Sequence, residues 1–352
     1  MRRSLRVAAT AAIALSASVT LGVVSTGAAT ADTSLTAAMP SVPASAGTLT
    51  KHAPDVLWPK GSTQAASPAA SGAGNDMVYG GGKAPGAVSS QPGVYLVFWG
   101  SQWSTTDPLA TYLQSFMNGL YGTGDDWTTV SQQYCEGIAS GAWTCPTSAT
   151  HVGVPSGALV KGVWFDNASP AVPVDTLVNP TTSRVGDQLA AEAVRAAAHF
   201  GNTSASSNTE VQYVIALPSG FFTPGYGAYY CAYHAAVDSN YGSVAYTNLP
   251  YMTDFGISCG QNAVNSGSAG TYDGVSIVEG HEYMETITDM RPRTGWADSS
   301  GQENGDLCAW ISSGQGAMAD LALSTGTFAV QSTWSNVFNN GSGGCVLHNN
   351  NP

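Results

Sequence analysis

The chain has 352 residues, 23 acidic against 11 basic side chains and a net charge of −12, with 43% hydrophobic residues. So negative a balance argues against nucleic acid and against anionic membrane surfaces, which would both repel it. The length is ample for a sizeable core, and beyond the N-terminal run no apolar stretch is long enough to span a membrane.

The chain opens with an expected secretory signal over residues 1–31. Arg2, Arg3 and Arg6 precede an apolar run from Val7 to Val24, and Ala29-Thr-Ala31 offers a small-residue cleavage site. That reading predicts a secreted, extracellular protein. Residues 32–85 are mostly Ala, Ser, Pro, Thr and Gly, and are expected to be a disordered linker or pro-segment, with a spacer associated with the cell wall as an equal reading. Only His52-Ala-Pro-Asp-Val-Leu-Trp58 within it is apolar enough to pack. Residues 86–352 are expected to form a single globular domain.

There, Gly93-Val-Tyr-Leu-Val-Phe-Trp-Gly100 reads as a buried strand, apolar throughout and bounded by glycines. Asp107 as N-cap and Pro108 at the first position open a helix running to Leu120. A cysteine-bracketed loop, Tyr134 to Pro146, precedes a second strand from Gly157 to Asp166. An Ala-rich helix follows from Thr182 to Phe200, capped by Thr182 or Ser183, and then a strand from Val211 to Leu217. A glycine- and aromatic-rich loop is expected from Ser219 to Tyr241 and a strand from Ser243 to Asn248. The fold class predicted from this βαβαβ order is α/β, three-layer-like, with a mixed, largely parallel sheet and flanking helices. A central His-Glu helix and a C-terminal β region tied back by a disulfide complete it. The six cysteines suggest three disulfides, and order along the chain pairs Cys135 with Cys145, Cys231 with Cys259 and Cys308 with Cys345.

The chemistry concentrates in Gly274–Asp289. His281, Glu285 and Asp289 recur every fourth residue along one side of a helix, with Glu282 beside them. His281 and Glu285, about 6 Å apart along the axis, can grip one Zn²⁺ while Glu282 activates a water. Asp289 lies about 12 Å from His281 along the axis, which makes it an outer partner, an anchor for the Arg291–Trp296 loop or part of a separate Ca²⁺ site. An H-E-x-x-E helix also suits harder cations, so Ca²⁺ is the alternative to Zn²⁺. The bland alternative is a helix whose acids complement its dipole around an inert His281. His234 could be a substrate-side acid or a fourth ligand. No G-x-S-x-G elbow, P-loop or G-x-G-x-x-G is present.

Several stretches together resemble the EXORDIUM-like, phosphate-induced secreted family. They are Val94-Tyr-Leu-Val-Phe-Trp-Gly100, Cys231-Ala-Tyr-His234, Thr286-Ile-Thr-Asp-Met290, Gly295-Trp296 and Cys308. That resemblance implies an extracellular, non-enzymatic module with a structural Ca²⁺ or no metal, although the family's plant members lack the His-Glu pair. A looser likeness is to the zincin metallopeptidases. It implies His281, Glu285 and Glu303, from Gln302-Glu-Asn-Gly-Asp-Leu-Cys308, as zinc ligands, Glu282 as general base and Asp306 as the group that orients His281. The expected function is then a metal-dependent hydrolase, a zinc peptidase acting on a peptide or protein substrate.

Overall fold

Short strands β1 (Thr50–Lys51), β2 (Asp55–Leu57) and β3 (Val78–Tyr79) precede the apolar strand β4 (Gly93–Trp99) and helix α1 (Pro108–Gly119). After β5 (Cys135–Glu136) and β6 (Thr150–His151) come β7 (Val160–Asp166), α2 (Asp187–His199), a single-turn α3 (Ala205–Asn208) and β8 (Val211–Ala216). The hairpin β9 (Ala232–Ser239) and β10 (Gly242–Leu249) leads to α4 (Asp273–Thr286). Strands β11 (Trp296–Ala297), β12 (Ala319–Leu323), β13 (Gly326–Val330), β14 (Thr333–Ser335) and β15 (Gly344–Val346) follow. This computed structural model describes residues 42–63, 77–83, 85–167, 187–221 and 225–349, so the expected signal segment and the helix caps Thr182 and Ser183 lie outside the described residues.

The protein is a mixed α/β fold around a seven-stranded sheet of order β1-β9-β10-β8-β4-β7, with β2 also on β9. Strands β10, β8, β4 and β7 run parallel. The hairpin partner β9 runs against β10, and β1 and β2 run against β9. The central strands β4 and β8 are buried almost throughout, which is why they read as continuous apolar runs, whereas β7 at the end of the order alternates between half-buried and exposed positions. Helix α1 starts where expected. The Asp107 carboxylate accepts from the amides of Leu109 and Ala110, and Pro108 occupies the first turn, where its missing donor costs nothing.

Helix α4 packs on β9, β10, β13 and α1, and every one of its residues is buried. It therefore has no solvent face on which its acids could be hydrated. The six cysteines form Cys135–Cys145, Cys231–Cys259 and Cys308–Cys345.

Three expectations are corrected. Within the stretch 32–85, read as disordered linker or pro-segment, the described residues 42–63 and 77–83 are not disordered: they supply β1 and β2 to the central sheet and Ala46, Leu57, Met77 and Tyr79 to the core. The reason is that β9 presents an otherwise open edge, and Asp55-Val-Leu57 satisfies its ladder. The described residues on both sides of the expected boundary at residue 86 thus belong to one compact unit. The loop expected over Ser219–Tyr241 contains β9, so His234 stands on a strand. Finally, α4 ends at Thr286, so Asp289 lies beyond the helix; the β-branched run Thr286-Ile-Thr288 weakens its last turn.

Candidate metal centre

Three segments meet at the buried face of α4. The helix supplies His281, Glu282 and Glu285, β9 supplies His234, and the loop after β11 supplies Glu303 and Asp306. The loop is held against the helix end by long-range bonds. The Asn304 side chain donates to the Met284 carbonyl and the Thr288 hydroxyl, and the Gln331 side chain donates to the Gly305 carbonyl. Gly305 must be small here, because a Cβ added to it would stand 2.6 Å from His281 Nδ1 and 2.9 Å from Glu285 Oε1.

His281 Nε2 lies 3.0 Å from Glu285 Oε1 and 3.8 Å from Asp306 Oδ1, and the Asp306 amide donates to the same Glu285 oxygen at 3.0 Å. On the other side, His234 Nδ1 lies 3.4 Å from both Glu282 Oε2 and Glu285 Oε2. Its Nε2 is 3.6 Å from Glu303 Oε1. Ligands around a tetrahedral zinc, at about 2.1 Å from the ion, stand about 3.4 Å from one another, so these separations are those of a ligand shell. Two groups have all their ligand atoms within 4.8 Å of one another: His281, Glu285 and Asp306, and His234, Glu282 and Glu285.

The set is buried and short of partners. His234, His281, Glu282, Glu285 and Glu303 are 0% exposed. Among their atoms His234 Nε2, both His281 ring nitrogens, Glu282 Oε1, Glu285 Oε2 and both Glu303 oxygens have no hydrogen-bond partner. Each such orphan costs about 1–3 kcal/mol. Asp55 adds a carboxyl from β2, directly opposite His234 in the ladder, and no lysine or arginine of the described residues pairs with any of these acids. A divalent cation fits this donor set, supplying the charge and the bonds that the protein does not.

Electrostatics point the same way. Burial pushes Glu303 and Asp306 well above the ordinary carboxylate range, and their acidic neighbours push further. Burial also raises Glu282, to about 7, against the pull of His234. Glu285 behaves differently: burial would raise it, but His281 and His234 outweigh burial and hold it at about 2. Burial would lower both imidazoles, yet Glu282 and Glu285 hold His234 well above its usual value, and Glu285 raises His281. The site therefore favours positive charge wherever a group can carry it.

The expected ligands are thus partly regrouped. His281 and Glu285 meet as anticipated, but the third group beside them is Asp306, while Glu303 lies against His234. Asp289 joins neither ligand group, although it is near enough to Glu303 and His234 to act on their charge. It accepts from the Thr294 amide and hydroxyl, fixing the Arg291–Trp296 loop, and burial raises it to about 7 against those bonds. Sequence reasoning missed Asp55, although it marked His52–Trp58 as the one packable part of its segment. A cavity of about 320 Å³ reaches the edge of the site at Asp55 and Asp306, and Trp58, Tyr229, Tyr230 and Arg293 also line it. Comparison of the chain with models of known families, with curated proteins and with solved structures found no match.

Proposed function

We propose that the protein is a secreted, metal-dependent hydrolase that cleaves peptide bonds, with zinc held by His281, Glu285 and Asp306. The observation that carries this reading is the convergence of those three side chains, at 3.0 and 3.8 Å from the imidazole, beneath a cleft that reaches Asp306. A bound zinc supplies Lewis acidity toward a scissile carbonyl and toward water. The protein's own part is then positional. Glu282, one residue from His281 and with Oε1 unpartnered, takes the proton from water, and the 0% exposure of the helix acids excludes bulk solvent. Trp58, Tyr229 and Tyr230 form the cleft wall against which a peptide lies, and Asp55 helps hold His234 in place. Secretion accords with three disulfides, and no described helix is long and apolar enough to cross a membrane. The likeness to zincins belongs to this reading as well.

A second reading has a specific observation behind it. Five carboxyls, from Asp55, Glu282, Glu285, Glu303 and Asp306, outnumber two imidazoles, which suits a structural Ca²⁺ in a non-enzymatic EXORDIUM-like module. One experiment separates the two. Elemental analysis of the purified protein is expected to find zinc, and Glu282→Gln is expected to keep that zinc while losing peptidase activity about 100-fold or more. Calcium in place of zinc, or cleavage that survives the substitution, would sink the hydrolase.

A further inference from the structure

Glu285 does not serve one imidazole. Its Oε1 faces His281 at 3.0 Å and its Oε2 faces His234 at 3.4 Å, so the carboxylate stands between two separate ligand groups. We infer that the protein has a second divalent-cation site, formed by His234, Glu282 and Glu285, bridged through Glu285 to the first. This inference rests on the proposed zinc site for its first ion but adds a position that the reading does not require.

The second group meets the demands of a ligand shell by itself. Its three ligand atoms lie within 4.8 Å of one another, and all three side chains are 0% exposed. Glu285 Oε2 and Glu282 Oε1 have no hydrogen-bond partner, so two buried oxygens await one. The charge count agrees once the ligands are deprotonated, as metal binding requires: of five carboxylates around the pair of sites, one divalent ion would leave three charges unmatched, whereas two ions leave one. Carboxylate-bridged ions stand about 3.5–4 Å apart, a separation that a syn–syn bridge through the two Glu285 oxygens supports.

Filling the second position has a chemical consequence. An ion there engages Glu282, the group assigned to take the proton from water. Occupancy of the second site therefore lowers the hydrolysis that the first supports, and the protein acquires a dependence on free metal concentration with a maximum near one equivalent.

The test counts metal in the full-length, oxidised protein. Cobalt(II) titrated into metal-free protein, followed by its visible absorption and by elemental analysis after gel filtration, is expected to show two equivalents bound. His234→Gln, with its fold verified by near-UV circular dichroism, is expected to bind one. Manganese(II) supplies a readout that needs no variant: two equivalents should give the broadened electron paramagnetic resonance signal of a coupled pair. One equivalent at saturation, with the signal of an isolated ion, would overturn the second site and leave the hydrolase reading standing. No bound metal would overturn both.

Discussion

Asp55 and His234 are direct partners across an antiparallel ladder, one on a short N-terminal strand and the other on β9. Facing residues in such a pair project to the same side of the sheet, so an acid from the segment that looked like a linker stands beside the buried histidine. Replacing Asp55 by Asn removes that charge with little change of shape. Affinity for the second metal equivalent, which His234 would help bind, is expected to fall about 10-fold, as it does when an outer partner of a ligand is lost. Competition with a chromogenic chelator measures it, and an unchanged affinity would show that Asp55 plays no part in the site.

Gly305→Ala tests the close approach of the loop to the helix. The added methyl would lie 2.6 Å from His281 Nδ1, and either the imidazole or the loop has to move. We expect at least a 10-fold loss of zinc affinity, with a stability cost of about 1–3 kcal/mol from overpacking. Full retention of both in a chelator competition and a urea melt would mean that the loop has slack.

Asp289→Asn asks whether that residue is a ligand or an anchor. Its carboxylate accepts from the Thr294 amide and hydroxyl and belongs to neither ligand group. The substitution should cost about 1–2 kcal/mol of stability while leaving the metal content as in the parent protein. Loss of metal together with a normal melt would reverse the assignment.

A pH dependence is expected far from the site. On α2, Arg195 forms ion pairs with both Asp166 and Glu192, and all three are buried. One cation balances one acid, and burial raises the second, Glu192, from 4.5 to about 8. The folded chain then keeps a proton that the unfolded chain releases between pH 4.5 and 8, so stability falls as pH rises through that window. Glu192→Gln, neutral at every pH, should flatten the slope and be the more stable form at pH 8, by about 1–3 kcal/mol. Urea midpoints of both proteins from pH 5 to 8 would show this, and parallel curves would refute it.

The parts of the fold that were readable carry their own local signals. Strand β4 announces itself by an unbroken apolar run, α1 by an Asp-Pro start, and α4 by spacing. Strand β9 is an Ala-rich segment of weak strand preference, Ala232-Tyr-His-Ala-Ala-Val237, and becomes a strand because β10 and the N-terminal strands pair with it. Likewise β2 has too few apolar residues to stand out and depends on an edge formed nearly two hundred residues later. The meeting of His281 and Glu285 followed from periodicity, since one turn separates them. The choice between Glu303 and Asp306 did not, because it is made by Asn304 and Gln331 bonding to distant backbone and by the absence of a side chain at Gly305.

Two of the groups that come to the site from outside the helix stand near a half-cystine: His234 follows Cys231 by three residues, and Asp306 precedes Cys308 by two. On the proposed metal reading, disulfide formation would precede metal capture. A chain kept reduced would hold the helix donors but lack those tethers, and on the proposed reading it would bind less metal than the oxidised protein.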